Sequence, residues 1–187
     1  EDKLPKSAIR PYPIQYASPW KLKNKAPVTV RPIKPEDEPM MVKFHETLSE
    51  ESVYNRYFQA LKLSQRITHE RLTRICFNDY NREIALVAEL KVAKGEEKKI
   101  LGVGRLSKQH ALGEAEFAVL VNDEWHGQGL GTELLRRLVE IGKAEKLTRI
   151  SGQILAENHA MHHICRKVGF KVTHDADSNL FTASYTY

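Results

Sequence analysis

The stretch Val121–Thr132, Val-Asn-Asp-Glu-Trp-His-Gly-Gln-Gly-Leu-Gly-Thr, constrains this chain more than any other. An apolar run ends at Val121 and a strong amphipathic helix pattern begins at Leu130. The short loop between them places glycine at 127, 129 and 131. Glycine lets the backbone take positive φ and come close to a ligand. Amides left free at the start of a helix, with the helix dipole behind them, form a site for a pyrophosphate. A plain strand-to-helix turn rarely needs three glycines at alternate positions, so the loop reads as a phosphate cradle. It is not the nucleotide-triphosphate loop, which needs Gly-Lys-Ser/Thr where this chain has Gly131-Thr132-Glu133. Nor is it the dinucleotide fingerprint, whose spacing differs and which sits in an early βαβ unit. This loop comes late, after three consecutive strand patterns.

Alternation predicts a first strand over Val28–Ile33, with Pro32 marking an edge position. Pro35-Glu36-Asp37-Glu38 opens a helix, with proline in the first turn and acids at the positive end of the dipole. Met41, Phe44 and Leu48 are its apolar stripe. Helical character continues through Glu50–Tyr57 and His69–Phe77, the latter with Leu72, Ile75 and Cys76 at helical spacing. Strands follow over Ile84–Leu90, Ile100–Leu106 and Ala115–Val121, the first two joined by a charged hairpin at Lys94–Lys98. The helix from Leu130 to about Lys146 buries Leu130, Leu134, Leu138 and Ile141 on one face. Next come a strand at Ile150–Leu155 and a helix at Ala160–Val168, with Met161, Ile164, Cys165 and Val168 inward and Gly169 as its stop. Strands at Phe170–Thr173 and Leu180–Tyr187 end the chain. This order predicts an α/β (α+β) fold with a mixed sheet, not a repeat of βαβ units.

Residues 1–27 carry Pro5, Pro11, Pro13, Pro19 and Pro27 without a sustained apolar period. Proline removes an amide donor and restricts its predecessor, so this segment reads as an extended leader or linker. It would lie on the surface through Tyr12, Ile14, Tyr16 and Trp20, ahead of a domain spanning residues 28–187. The positive charge is concentrated early: within residues 1–34, Lys3, Lys6, Arg10, Lys21, Lys23, Lys25, Arg31 and Lys34 face only Glu1 and Asp2. With no zinc-finger spacing and no aromatic RNA-binding signature, the excess reads as a solvated linker, not a nucleic-acid surface. A phosphorylated cofactor is a sufficient anionic partner for the net charge of +5. No apolar stretch approaches the ~20 residues a membrane helix needs, and the start lacks the apolar centre of a signal peptide. Cys76 and Cys165 make no disulfide framework, so a reducing cytoplasm is expected.

The loop His126-Gly127-Gln128-Gly129-Leu130-Gly131 resembles the Gln/Arg-x-x-Gly-x-Gly/Ala pattern of the GNAT superfamily of acyl-CoA N-acyltransferases, with His126 where Gln or Arg is usual. A second segment, Asn158-His159-Ala160-Met161 followed by Ile164-Cys165-Arg166-Lys167-Val168-Gly169-Phe170, resembles the family's Asn-x-x-Ala…Tyr-x-Lys-x-Gly-Phe. Two segments at the expected separation are far more specific than either alone, and the resemblance covers about residues 28–187. Ala115-Glu116-Phe117-Ala118, with Gly129–Thr132 and Asn158–Met161, looks closest to the GNAT domain of bacterial Pat-type protein lysine acetyltransferases. The leader Ile9-Arg10-Pro11-Tyr12-Pro13 resembles the end of the acyl-CoA-synthetase-like region that precedes that domain in many of them. A longer natural chain, and an acyl-CoA synthetase as first acceptor, are therefore expected.

The resemblance implies a central, mostly antiparallel sheet flanked by helices and splayed where acetyl-CoA binds. Its pantetheine would meet backbone groups of Val119 and Val121, around Leu120. Its phosphates would meet His126, Gly127, Gln128, Gly129, Leu130, Gly131 and Thr132, and Asn158 would hold it from the other side. Many members use a tyrosine to protonate the departing thiolate, and Cys165 takes that place at the cofactor. With no His-carboxylate pair to activate it, Cys165 reads as core packing instead of an acyl carrier. Arg166 and Lys167 either reach the nucleotide 3′-phosphate or are surface charges.

An acceptor lysine has a solution pKa of about 10.4, so roughly one in two thousand is neutral at pH 7, and freeing the amine costs on the order of 4–5 kcal/mol without a base. Glu116 matches the family's general-base glutamate, and Glu114 faces the same side of an ideal strand as base or helper. Asp123 and Glu124 read as solvated loop charges. His159, His162 and His163 read as a solvated helix face, since no zinc-protease glutamate lies between them, and no metal is expected. The expected function is acetyl transfer from acetyl-CoA to a protein lysine. A small-molecule amine acetyltransferase and a non-catalytic acyl-CoA-sensing domain are the alternatives.

Overall fold

The computed structural model describes residues 10–109 and 113–187, so Lys3, Lys6 and the first part of the leader lie outside it. The strands are β1 (Ser18–Lys21), β2 (Pro27–Pro32), β3 (Glu83–Leu90), β4 (Ile100–Gln109), β5 (Glu114–Val121), β6 (Arg149–Leu155), β7 (Lys171–His174) and β8 (Leu180–Thr186). The helices are α1 (Glu38–Glu46), α2 (Glu50–Tyr57), α3 (Leu63–Arg66), α4 (His69–Cys76), α5 (Leu130–Ala144) and α6 (His159–Val168). The strands form one sheet in the order β1-β2-β3-β4-β5-β6-β8-β7. Every neighbouring pair is antiparallel except β5 and β6, which run parallel. The mixed α/β sheet flanked by helices is the fold expected from the element order.

Side chains alternate across a strand, and β3 shows why the sheet needs helices on both faces. Ile84, Leu86 and Ala88 join the core under α5 and α6, while Ala85 and Val87 join a second core with Met41, Phe44 and Leu72 of α1 and α4. Both sets are fully buried, so β3 reads as a continuous apolar run. Leu130, Leu134, Leu138 and Ile141 of α5 are buried as their spacing demanded, joined by Leu135.

Several expectations change. The leader is not outside the sheet: Ser18–Lys21 pairs with β2 as the true edge strand, and Leu22 behind it is 3% exposed. Further contacts fix this segment to α5, with Arg10 and Tyr16 bonded to Glu145 and Ser18 accepting from Arg137. Proline density hid the strand, yet Pro19 is tolerated at an outer edge, where no amide donor is required. Pro32 therefore does not mark the sheet edge; it ends β2 beyond the reach of β1, whose last partner is Val30. Ile14, expected against the surface, is 66% exposed. The single turn α3 has no counterpart in the sequence reading, and β4 runs three residues further than its apolar pattern.

Candidate functional site

β5 and β6 are paired at three positions only, Glu114↔Arg149, Ala115↔Ile150 and Glu116↔Ser151. Beyond Glu116 they part, although β4 stays paired with β5 as far as Val121 and β8 with β6 as far as Leu155. The wedge is Phe117, buried at the first position past the split. Its ring lies 2.7 Å from where a Cβ on Gly152 would sit, and it meets Phe170 edge-on at 5.1 Å. Glycine at 152 is therefore a steric requirement. The split opens into a cleft of about 680 Å³.

At the wide end of the cleft the glycine loop turns into α5. Gly127 and Gly129 take φ of +74° and +82°, the left-handed region other residues avoid. Glu133 N is the first α5 amide to reach a backbone acceptor, Gly129 O at 3.1 Å. The amides of Leu130, Gly131 and Thr132 ahead of it have none among the described residues, which is the donor set an anion needs. His126 turns its Nε2 onto Val121 O at 2.9 Å, a bond inside the loop instead of a projection into the cleft.

Twelve of the sequence-derived candidates meet on this cleft: Glu116, Val119, Leu120, Val121, His126, Gly127, Gly129, Leu130, Gly131, Thr132, Asn158 and Lys167. Asn158 also caps α6, accepting from Met161 N. Glu114, Gln128 and Cys165 do not join them. Glu114 lies where β5 and β6 are still paired, 3.9 Å from the Arg149 guanidinium. Gln128 faces away, its carbonyl accepting from Lys23 N and its side chain from Asn24 N, both at 3.0 Å. Cys165 is wholly buried in the core, and burial pushes its thiol up to about 12, so it cannot touch a ligand in the cleft.

Other readings also change. Met161 and Ile164 are half-buried and line the cleft instead of packing wholly inward. His162 is not solvated: it is 8% exposed, 3.1 Å from Leu155 O and edge-on to Phe181. No cluster of three or more His, Cys, Asp or Glu able to hold a metal occurs among the described residues. Asp123 is no free loop charge. It accepts from Ser49 N at 2.9 Å and from the hydroxyls of Ser49 and Ser52, fastening α2 to the end of β5. Burial alone would raise its carboxyl, but those bonds hold it below the usual range.

The segment Ser49–Phe77 is expected from the sequence to shape the acceptor side, but no residue of the far wall of the cleft is singled out by it. Ser52, Asn55, Arg56 and Phe58, in and just after α2, look across at Glu116, and Arg105 of β4 joins them. Burial lowers the Arg56 guanidinium, which lies 4.9 Å from the Tyr57 ring centre. Phe58 ends α2 at φ +59°, left-handed for a bulky side chain. Lys23, from the supposed leader, reaches the glycine loop. No spacing rule reports these positions, because tertiary packing alone aims them at the cleft.

Comparison with known proteins places this geometry in context. Residues 28–171 match the family model described as an acetyltransferase (GNAT) domain. An acetyltransferase of Pseudomonas aeruginosa is 27% identical over 152 residues, covering 81% of this chain and 79% of that protein. The GNAT domain of Streptomyces lividans PAT superposes with a TM-score of 0.82 at 22% identity, over 95% of this chain and all of that one. RimJ of Mycobacterium smegmatis, solved with CoA disulfide, superposes at 0.69 with 18% identity, over 91% of this chain and 86% of its own.

Proposed function

This chain belongs to the GNAT acetyltransferase family, and on that premise we propose that it moves an acetyl group from acetyl-CoA to a lysine amine of a protein, with Glu116 as the general base. The observation that carries the assignment of the base is the parting of β5 and β6 at Glu116↔Ser151. It leaves this carboxylate at the apex of the cleft, on the strand face that looks toward α2. The other carboxylates on the cleft are less suited. Asp123 is held by two serines, Glu157 accepts from Asn179, and Glu51 stands out on α2.

The cleft fits acetyl-CoA on its own chemistry. An unpaired length of β5 is available to an extended, amide-bearing arm, and free amides at an α5 start cradle phosphate. Residues 119–121 would hold the arm, 126–132 the phosphates, and Asn158 and Lys167 would close over it from α6. When bound, acetyl-CoA supplies the acyl group as an activated thioester. Glu116 takes a proton from the acceptor ammonium, directly or through water, and the neutral amine would then bond the acetyl carbon as the C–S bond breaks and CoA leaves as its thiolate. Transfer occurs with both substrates bound, and no residue of the chain carries the acyl group.

A protein acceptor is supported by Phe58, which lines the cleft at the end of α2 and is exposed, as is Tyr54 on the same helix; exposed aromatic surface of this kind suits a folded partner. We place the enzyme in the cytoplasm, with an acyl-CoA synthetase as the first acceptor to try and a longer natural chain in which a synthetase-like region precedes this domain. Incubation with labelled acetyl-CoA and candidate acceptors, read by mass spectrometry, should reveal modified lysines. Acetylation confined to small amines would overturn the protein-acceptor reading. Glu116→Gln should bind CoA as the wild type does while kcat falls by about 10²–10³; full turnover would remove Glu116 from the mechanism.

A further inference from the structure

The hairpin between β1 and β2 precedes the residues that match the family, yet it is docked on the glycine loop. Its turn is firmly built: Leu22 N bonds Ala26 O at 3.0 Å, Lys25 N bonds Leu22 O at 2.8 Å, and Asn24 Oδ1 accepts from Ala26 N at 2.9 Å. The two bonds to Gln128 then lock the tip against the loop. The aliphatic stem of Lys23 runs over Gly129, the residue that caps α5, with Cε 3.6 Å from where a Cβ there would sit. The Trp20 ring lies beside it at 3.5 Å from the same point.

Charge makes this placement consequential. Residues 122–132 contain no lysine or arginine, but do contain Asp123 and Glu124. The imidazole of His126 is turned onto Val121 O. The loop therefore offers neutral amides to a phosphate and no cation of its own. Two lysines line the cleft, Lys23 from the hairpin and Lys167 from α6. Lys23 forms no ion pair with any described residue.

We propose that Lys23 is a cofactor-binding residue, its ammonium pairing with a phosphate of the acyl-CoA seated at the glycine loop. The inference rests on the reading of the cleft as an acyl-CoA site. It extends the functional unit to include the β1–β2 hairpin, which supplies the cation that the loop's own sequence lacks.

Calorimetric titration of CoA and 3′-dephospho-CoA into the whole chain and its Lys23→Gln and Lys23→Arg variants tests this. Glutamine keeps the Cγ contact over Gly129 and both bonds to Gln128 while removing the charge and the end of the stem, and the arginine variant restores both. Lys23→Gln should weaken CoA about tenfold, the scale of one charge-assisted hydrogen bond at a solvent-accessible site. The KM for acetyl-CoA should rise equally at unchanged kcat, and Lys23→Arg should restore most of the affinity. A matching loss with dephospho-CoA assigns the contact to the pyrophosphate; dephospho-CoA binding that is indifferent to the substitution assigns it to the 3′-phosphate. CoA affinity in Lys23→Gln within twofold of wild type, or no recovery with arginine, would overturn the proposal. Failure of the unsubstituted chain to bind CoA at all would instead overturn the cofactor reading on which it rests.

Discussion

Two glutamates lie on one face of a strand, two residues apart; in the sequence only the family resemblance favours Glu116, and in the fold their neighbours differ as well. Glu114 lies beside a β6 that is still paired with β5, Glu116 at the point where pairing stops. Glu114→Gln should therefore change kcat less than about twofold while Glu116→Gln lowers it by about 10²–10³, a contrast that initial-rate assays read directly. Cys165 teaches the opposite lesson: the family resemblance put it at the cofactor while its helical spacing put it in the core, and the core is where it lies. Phe58 was invisible for a third reason, since no local signal announces a bulky residue in left-handed backbone. Such backbone costs of order 1 kcal/mol or more and persists where the surroundings demand it. Phe58→Gly should keep or raise the thermal midpoint while KM for a protein acceptor rises several-fold and KM for acetyl-CoA stays unchanged.

At the scale of elements, what was legible follows one rule: periodic burial leaves a trace and tertiary docking does not. The amphipathic stripe of α5 and the glycines before it were readable because both are local necessities. β1 was not, since two of its four residues are Ser18 and Pro19 and it is held by β2 and by Arg137 of α5. The pair β5–β6 was legible as two strands, but their parting was implied by family resemblance and not by any spacing. Its local cause is the contact between Phe117 and Gly152. Gly152→Ala should destabilise the fold by about 1–3 kcal/mol in urea titrations, as overpacking does, and weaken CoA binding. Adding Phe117→Leu should recover part of both losses, since residues in contact couple.

Across the whole molecule, buried charge ties the early segment of the chain to β4 and to the end of α5. Glu145, 9% exposed at its side chain, is bonded by Arg10, Lys108 and Tyr16. Burial alone would raise its carboxyl, but those three partners hold it down at about 2. A folded value below the unfolded one stabilises the fold above the unfolded pKa, and that stability is lost as pH falls toward the folded value. Glu145→Gln should thus cost on the order of 2 kcal/mol at pH 7, with the gap to wild type closing as pH falls from about 4.5 to about 2. His45 acts earlier on the same limb. Burial, and then Arg66, Arg71, Arg105 and Arg56 around it, lower it to about 4, so it stays neutral in the fold while the unfolded chain takes up a proton. Stability should therefore begin to decline near pH 6.5 and continue to decline toward pH 4 in thermal scans.

The parting of β5 and β6 also bears on self-association. A strand with unmet hydrogen-bonding groups is a template for another chain, and proteins ordinarily cap, charge or shorten such edges. Here the exposed template lies in the middle of an eight-stranded sheet, recessed between two diverging strands and flanked by α6. A second sheet cannot approach it broadside, whereas a single thin flexible arm can thread in lengthwise. Concealment thus acts as a size filter, admitting a slender guest and refusing the broad partner that would begin aggregation.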